Sequence, residues 1–182
     1  MSVHVSRWSP AALTLLLAAT TAACGESADP TAPGVPPVAE AMHAPGPAGS
    51  PGLAALRAAT APFHRLEAGM EAGWSTQLTP CLASPAGGMG YHYANLALFD
   101  GEVTVTEPET LLYAPARNGD LRLVAVEYII PLDAWQGTDP PELLGQQFHR
   151  NEPVGIWALH AWVWHHNPNG IFADWNPRIS CS

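Results

Sequence analysis

Eight histidines stand in a chain that has no lysine, and two of them, with one glutamate, occupy positions where a plain core needs no polar group. His92 lies in GYHYAN, Glu127 in LRLVAVEYII and His160 in IWALHAWVWHH, each within a run of β-forming residues. Alternate residues of a strand point the same way, so Glu127 is expected on the face of Leu121, Leu123, Ala125 and Ile129. A carboxylate on an apolar face must find a partner, raise its pKa or line a wet cavity. The same alternation puts His160 with Trp162, Trp164 and His166, and puts Trp157, Leu159, Ala161, Val163 and His165 on the opposite face. If the three strands are neighbours in compatible register, two imidazoles and a carboxylate converge, a donor set for zinc or another divalent ion. His149, or His64 from an upstream helix, would then supply a fourth ligand. No compact signature such as HExxH is present, and the competing reading is that each histidine satisfies a backbone carbonyl or Glu127 within the core. His165 and His166 point to opposite faces of a continuing strand and read as a strand end entering the turn NPNG.

Other chemistries lack their residues. Without lysine there is no Schiff-base nucleophile and no phosphate-cradling P-loop. A net charge of −9, with seven scattered arginines as the only basic side chains besides histidine, argues against nucleic acid as a partner. Ser75, Ser84 and Ser180 lie in no GxSxG elbow. Acid–base catalysis by Glu127 with His92 or His160 would require a closed pocket in which burial moves their pKa values toward neutrality.

The elements that must position these groups follow from periodicity. LAALRAATAPFHRLEAGMEAGW carries Leu53, Leu56, Phe63, Leu66 and Met70 at helical spacing, and Pro62 either kinks one helix or starts a second with Thr60 as its cap. His64, Glu67 and Glu71 would form a polar face on it. After Cys81 short β-type runs take over: GYHYANLALF, LLYAP, LRLVAVEYII stopped by Pro131, and IWALHAWVWHH as the longest strand, with FADWNPRISC last. Residues 139–149, DPPELLGQQFH, would form a short helix or a structured loop. The expected class is α+β, an N-terminal helix packed on a curved antiparallel β-sheet, by fold analogy of the cystatin or nuclear-transport-factor kind. Trp157, Trp162, Trp164 and Trp175 crowd the C-terminal part as core or as an aromatic pocket wall.

Ahead of this domain the chain has a different character. Arg7, the apolar run from Ala11 to Ala19 and the small residues before Cys24 read as a lipoprotein-type signal peptide over residues 1–23, with plain secretory cleavage as the alternative. Lipid on Cys24 would anchor the protein outside the cytoplasmic membrane, and Gly25 after it implies outer-membrane sorting by resemblance to diderm lipoproteins. Residues 24–52, rich in Pro, Ala and Gly and containing His43, read as a disordered tether, and residues 53–182 as a single domain. Setting Cys24 aside leaves Cys81 and Cys181 in an oxidising compartment, one possible disulfide, worth roughly 4 kcal/mol on the chain-entropy model.

Through MGYHYAN, LVAVEYIIP and ALHAWVWHHNPNGIFADWNPRISC, with RAATAPFHRLEAGMEAGW upstream, the chain resembles an uncharacterised family of secreted or lipid-anchored bacterial domains. The resemblance spans most of Arg57 to Cys181 and implies an extracytoplasmic location, with no activity to carry over. Three functions stay open: an envelope domain binding a metal ion or small ligand near His92, Glu127 and His160, an enzyme using the same residues, and a non-catalytic envelope interaction protein.

Overall fold

The computed structural model describes residues 50–181. The expected signal segment, Cys24, His43 and most of the expected tether lie outside the described residues. Among the described residues no helix is long and apolar enough to cross a membrane.

Helix α1, Pro51–Thr60, begins within the stretch expected to be tether because its first turn is capped: the Leu53 N–H donates to the Ser50 hydroxyl, and Pro51 opens the helix. Leu53 and Leu56 are fully buried. Pro62 sits in a 3-10 turn, Ala61–Phe63, and a second short helix, α2 at Leu66–Glu71, follows Arg65. The chain thus takes the two-helix option, but Thr60 does not cap α2. Its hydroxyl donates to the Leu56 carbonyl and accepts from Trp164 Nε1. Met70 lies off the apolar stripe and is exposed.

The remainder is mostly antiparallel sheet. Strands β1 (Thr76–Gln77), β2 (Leu82–Ser84), β3 (Gly87–Ala94), β4 (Thr110–Pro115), β5 (Leu121–Pro131), β8 (His149–Asn151) and β9 (Ile156–Ala161) form one sheet in the order β1-β3-β4-β5-β9-β8, with β2 added on β3. The segment 139–149 is neither helix nor plain loop. It forms a two-stranded hairpin, β6 (Glu142–Leu143) and β7 (Gln146–Gln147), whose turn residues Leu144 and Gly145 both have positive φ, as a tight hairpin turn requires.

Two departures from simple alternation matter for the site. The longest strand is β5, not β9, which stops at Ala161 because the following backbone turns to other partners. The Trp162 N–H donates to the Ile171 carbonyl, and those of Trp164 and His165 both donate to the Val124 carbonyl. Val124 is itself a bulge, since Leu112 pairs with Ala125 while Tyr113 pairs with Leu123. One extra residue reverses the facing of everything before it. Leu121 and Leu123 therefore join Tyr113, Leu53 and Leu56 in the cluster beneath the helices rather than sharing a face with Glu127. Trp164 goes to that side as well, whereas Trp162 stays with Leu112, Ala125 and Ile179 on the other.

Tyr113 ties the layers together, its hydroxyl donating to the Phe63 carbonyl at 2.8 Å. Gly90 has φ +94°, and a Cβ there would collide with the Tyr113 carbonyl oxygen, so glycine lets β3 close on β4 two residues before His92. The disulfide joins Cys81 to Cys181 with 5.7 Å between Cα atoms. Just upstream of it, Gly88 and Asn176 exchange backbone hydrogen bonds and Ile179 is buried, which holds the C-terminal segment against β3.

Candidate metal centre

Strand pairing brings the three expected side chains together. Glu127 on β5 is directly opposite His160 on β9, and Thr110 is its partner on β4. His92 on β3 pairs with Leu112, two residues along β4 from Thr110, so it reaches diagonally across that strand toward Glu127. His92 Nε2 lies 3.5 Å from Glu127 Oε2, and His160 Nε2 lies 3.6 Å from Glu127 Oε1. One donor atom from each residue falls within 4.8 Å of the other two, and all three residues are buried. Among the described residues this is the one group of three or more potential ligands so placed.

Tetrahedral zinc with bonds of about 2.0–2.1 Å separates its ligand atoms by roughly 3.3 Å, so a set whose atoms lie within 4.8 Å of one another would close by at most about 1.5 Å on any edge, each imidazole now facing a different oxygen of Glu127. The far nitrogens are already engaged. His92 Nδ1 is 2.9 Å from the Thr79 hydroxyl, and His160 Nδ1 is 3.3 Å from Asp174 Oδ1. Both rings therefore turn Nε2 toward the same point. Asp174 thus holds His160 Nδ1, whereas His160 Nε2 is buried with no hydrogen-bond partner. A buried imidazole left so is costly unless something else takes up its lone pair.

The carboxylates polarise the pair. Burial, the largest influence on His160, opposes its protonation, yet the charge of Glu127 and the hydrogen bond and charge of Asp174 together outweigh it and raise its pKa. Burial dominates at His92 and lowers its pKa, despite attraction from Glu127. Asp174 is held below the usual carboxylate range, first by its interaction with His160.

The cluster forms one wall of a cavity of about 540 Å³, into which His149 and Asp174 also project. His149 is not in the donor cluster: its Nδ1 lies 3.5 Å from Asp174 Oδ1, so it reaches the site only through that carboxylate. His64 is not there either. It packs edge-on against Trp164, 4.2 Å between ring centres, with the residues of the helix side. His165 and His166 line a separate cleft with Arg57 and Asn167.

No family model, curated protein or solved structure matches the chain.

Sequence reasoning passed over Asp174 and Thr79, the groups that orient the imidazoles. Asp174 sits in a turn-rich segment whose path no periodicity reveals, and Thr79 precedes a proline in an irregular stretch. It also passed over Glu109, just before β4, which is 1% exposed and accepts the Ile129 N–H. Burial pushes the Glu109 carboxyl up to about 8. A group with a folded pKa raised above its unfolded value of 4.5 stabilises fully below 4.5, and that contribution is lost as pH rises through about 8. Glu109→Gln is therefore expected to be more stable than the parent by an amount that grows from pH 5 to pH 7, by roughly 2–3 kcal/mol. Urea unfolding of both proteins at the two pH values measures it; a constant difference would show that Glu109 does not titrate in this range.

Proposed function

We propose that this domain binds a divalent metal ion of the zinc class through His92 Nε2, Glu127 and His160 Nε2, leaving one coordination position open toward the cavity. The observation that carries the reading is His160 Nε2: fully buried, without a hydrogen-bond partner, and 3.6 Å from a carboxylate that a second imidazole also approaches. A core histidine selected only for packing would have its nitrogens satisfied. Thr79 and Asp174 act on the far sides of the rings as outer partners do in metal sites, setting the tautomer and orienting the lone pair.

Two histidines and a glutamate with an open fourth position form the donor set of hydrolytic zinc sites, which favours an enzyme as the second reading. In that case the metal would supply an activated water, and the residues of this chain would orient it. The cup around the site is read as the concave side of a curved sheet. We place the protein in an oxidising compartment, secreted or held at the envelope by lipid on Cys24, a location that suits the Cys81–Cys181 disulfide.

Isothermal titration of the metal-stripped protein with zinc tests the proposal. One site per chain is expected, weakened about 10- to 100-fold by Asp174→Asn, which keeps the shape but removes the charge on His160 Nδ1. A silent titration with zinc and with copper would overturn it.

A further inference from the structure

The cavity above the cluster has a composition that narrows what the open coordination position would meet. Its walls are largely apolar, supplied by Leu82, Met89, Phe99, Ile129, Ile156 and Trp175. Leu78 and Val154, also lining residues, are 43% and 64% exposed, two of only four large hydrophobic side chains so exposed among the described residues. Apolar groups placed in water on the wall of a cavity are surface that an apolar ligand would cover. The polar lining is confined to Thr79, Asn151, three histidines and the carboxylates of Glu127 and Asp174, with no arginine among it.

From this we infer that the cavity takes a small molecule with an apolar body and a single monoanionic or neutral metal-binding head, of the monocarboxylate or hydroxamate class. The inference rests on the metal reading above. A cavity of about 540 Å³ lies in the range that encloses most of a small organic ligand. The metal would be the sole fixed positive centre in it, facing two carboxylates. With Glu127 as its ligand a divalent ion keeps one net positive charge, which a monoanionic head cancels, and Asp174 nearby favours a head with no more charge than that, whereas a dianionic head such as phosphate brings a second negative charge with no arginine to meet it. Sugars are disfavoured for a related reason, since few donors and acceptors line the apolar walls to replace water around several hydroxyls.

The test uses the full chain loaded with zinc and four probes: acetohydroxamate, octanohydroxamate, octanoate and octyl phosphate. The first two share a head and differ by six methylenes. Burying a methylene is worth roughly fourfold in affinity, so octanohydroxamate is expected to bind on the order of 100-fold more tightly if three or four of the six are covered. Octanoate is expected to bind more tightly than octyl phosphate. Val154→Ser and Leu78→Ser, both at exposed positions and adding no charge, should each weaken octanohydroxamate several-fold more than they weaken acetohydroxamate. Zinc binding with equal affinity for the two hydroxamates, or with octyl phosphate preferred, would overturn this inference and leave the metal site standing. A protein that binds no zinc would overturn both.

Discussion

Glu127→Gln is expected to lower zinc affinity on the order of 100- to 1,000-fold while leaving the metal-free protein folded. Structural zinc sites bind with roughly 10–16 kcal/mol shared among four donors, so replacing a charged donor with a neutral isostere removes a large share of one part in four. In the metal-free fold the same change is mild. Glutamine preserves the volume between His92 and His160 and removes a buried charge, whose nearest imidazole nitrogens are 3.5 and 3.6 Å away. A core role for Glu127 predicts the reverse pattern, a clear drop in urea stability with no zinc effect to lose. His160→Ala provides the second arm, with a comparable loss of zinc affinity and a moderate stability cost from the cavity it leaves.

The pH dependence of zinc binding has a definite sign. Metal needs the His160 Nε2 lone pair, and the neighbouring carboxylates raise the pKa of that ring, so a proton competes with zinc. Apparent affinity is expected to rise with pH, by up to about tenfold per unit, until His160 has released its proton. Glu127→Gln removes the charge that raises it most, so the dependence should move to lower pH. Titrations at several pH values, in buffers of different ionisation enthalpy to count released protons, check both points. A flat profile would show that His160 is not a ligand.

The second large effect belongs to the disulfide. Replacing Cys81 and Cys181 together with alanine is expected to cost about 4 kcal/mol, read as a lowered urea midpoint, because the bond closes a loop with a sequence separation of 100. The consequence should reach the candidate site. Cys181 is the last described residue, and the segment leading to it carries Asp174, Asn176 and Ile179. Without the bond this segment is held by the Gly88–Asn176 backbone pair, by burial of Ile179 and by local hydrogen bonds, so Asp174 is less firmly placed beside His160. Zinc affinity in the double variant is expected to fall no further than it does for Asp174→Asn. A larger loss would mean that the bond positions more of the site than this one carboxylate.

What could be read from the chain alone was the identity of the unusual residues. His92, Glu127 and His160 were legible because each interrupts an apolar β-type run, and a polar group there must be accounted for in any fold. The two-cysteine arithmetic led to the Cys81–Cys181 pairing, and the change from helical to alternating periodicity near Cys81 separated the helices from the sheet.

Convergence was decided elsewhere. Whether His92 meets Glu127 depends on β4 lying between their strands and on the register of His92 with Leu112 and of Thr110 with Glu127, and periodicity contains no register between strands distant in sequence. The Val124 bulge illustrates the same limit: one unpaired residue turned Leu121 and Leu123 to the helix side, and only the pairing with Tyr113 and the demands of Trp164 and His165 on its carbonyl account for it. His64 and His149 carried the same chemical promise as His92, yet packing sent one to Trp164 and left the other against Asp174, outside the three-residue cluster. Residue chemistry is local and is written in the sequence, whereas a site is a coincidence in space that backbone pairing and packing must arrange.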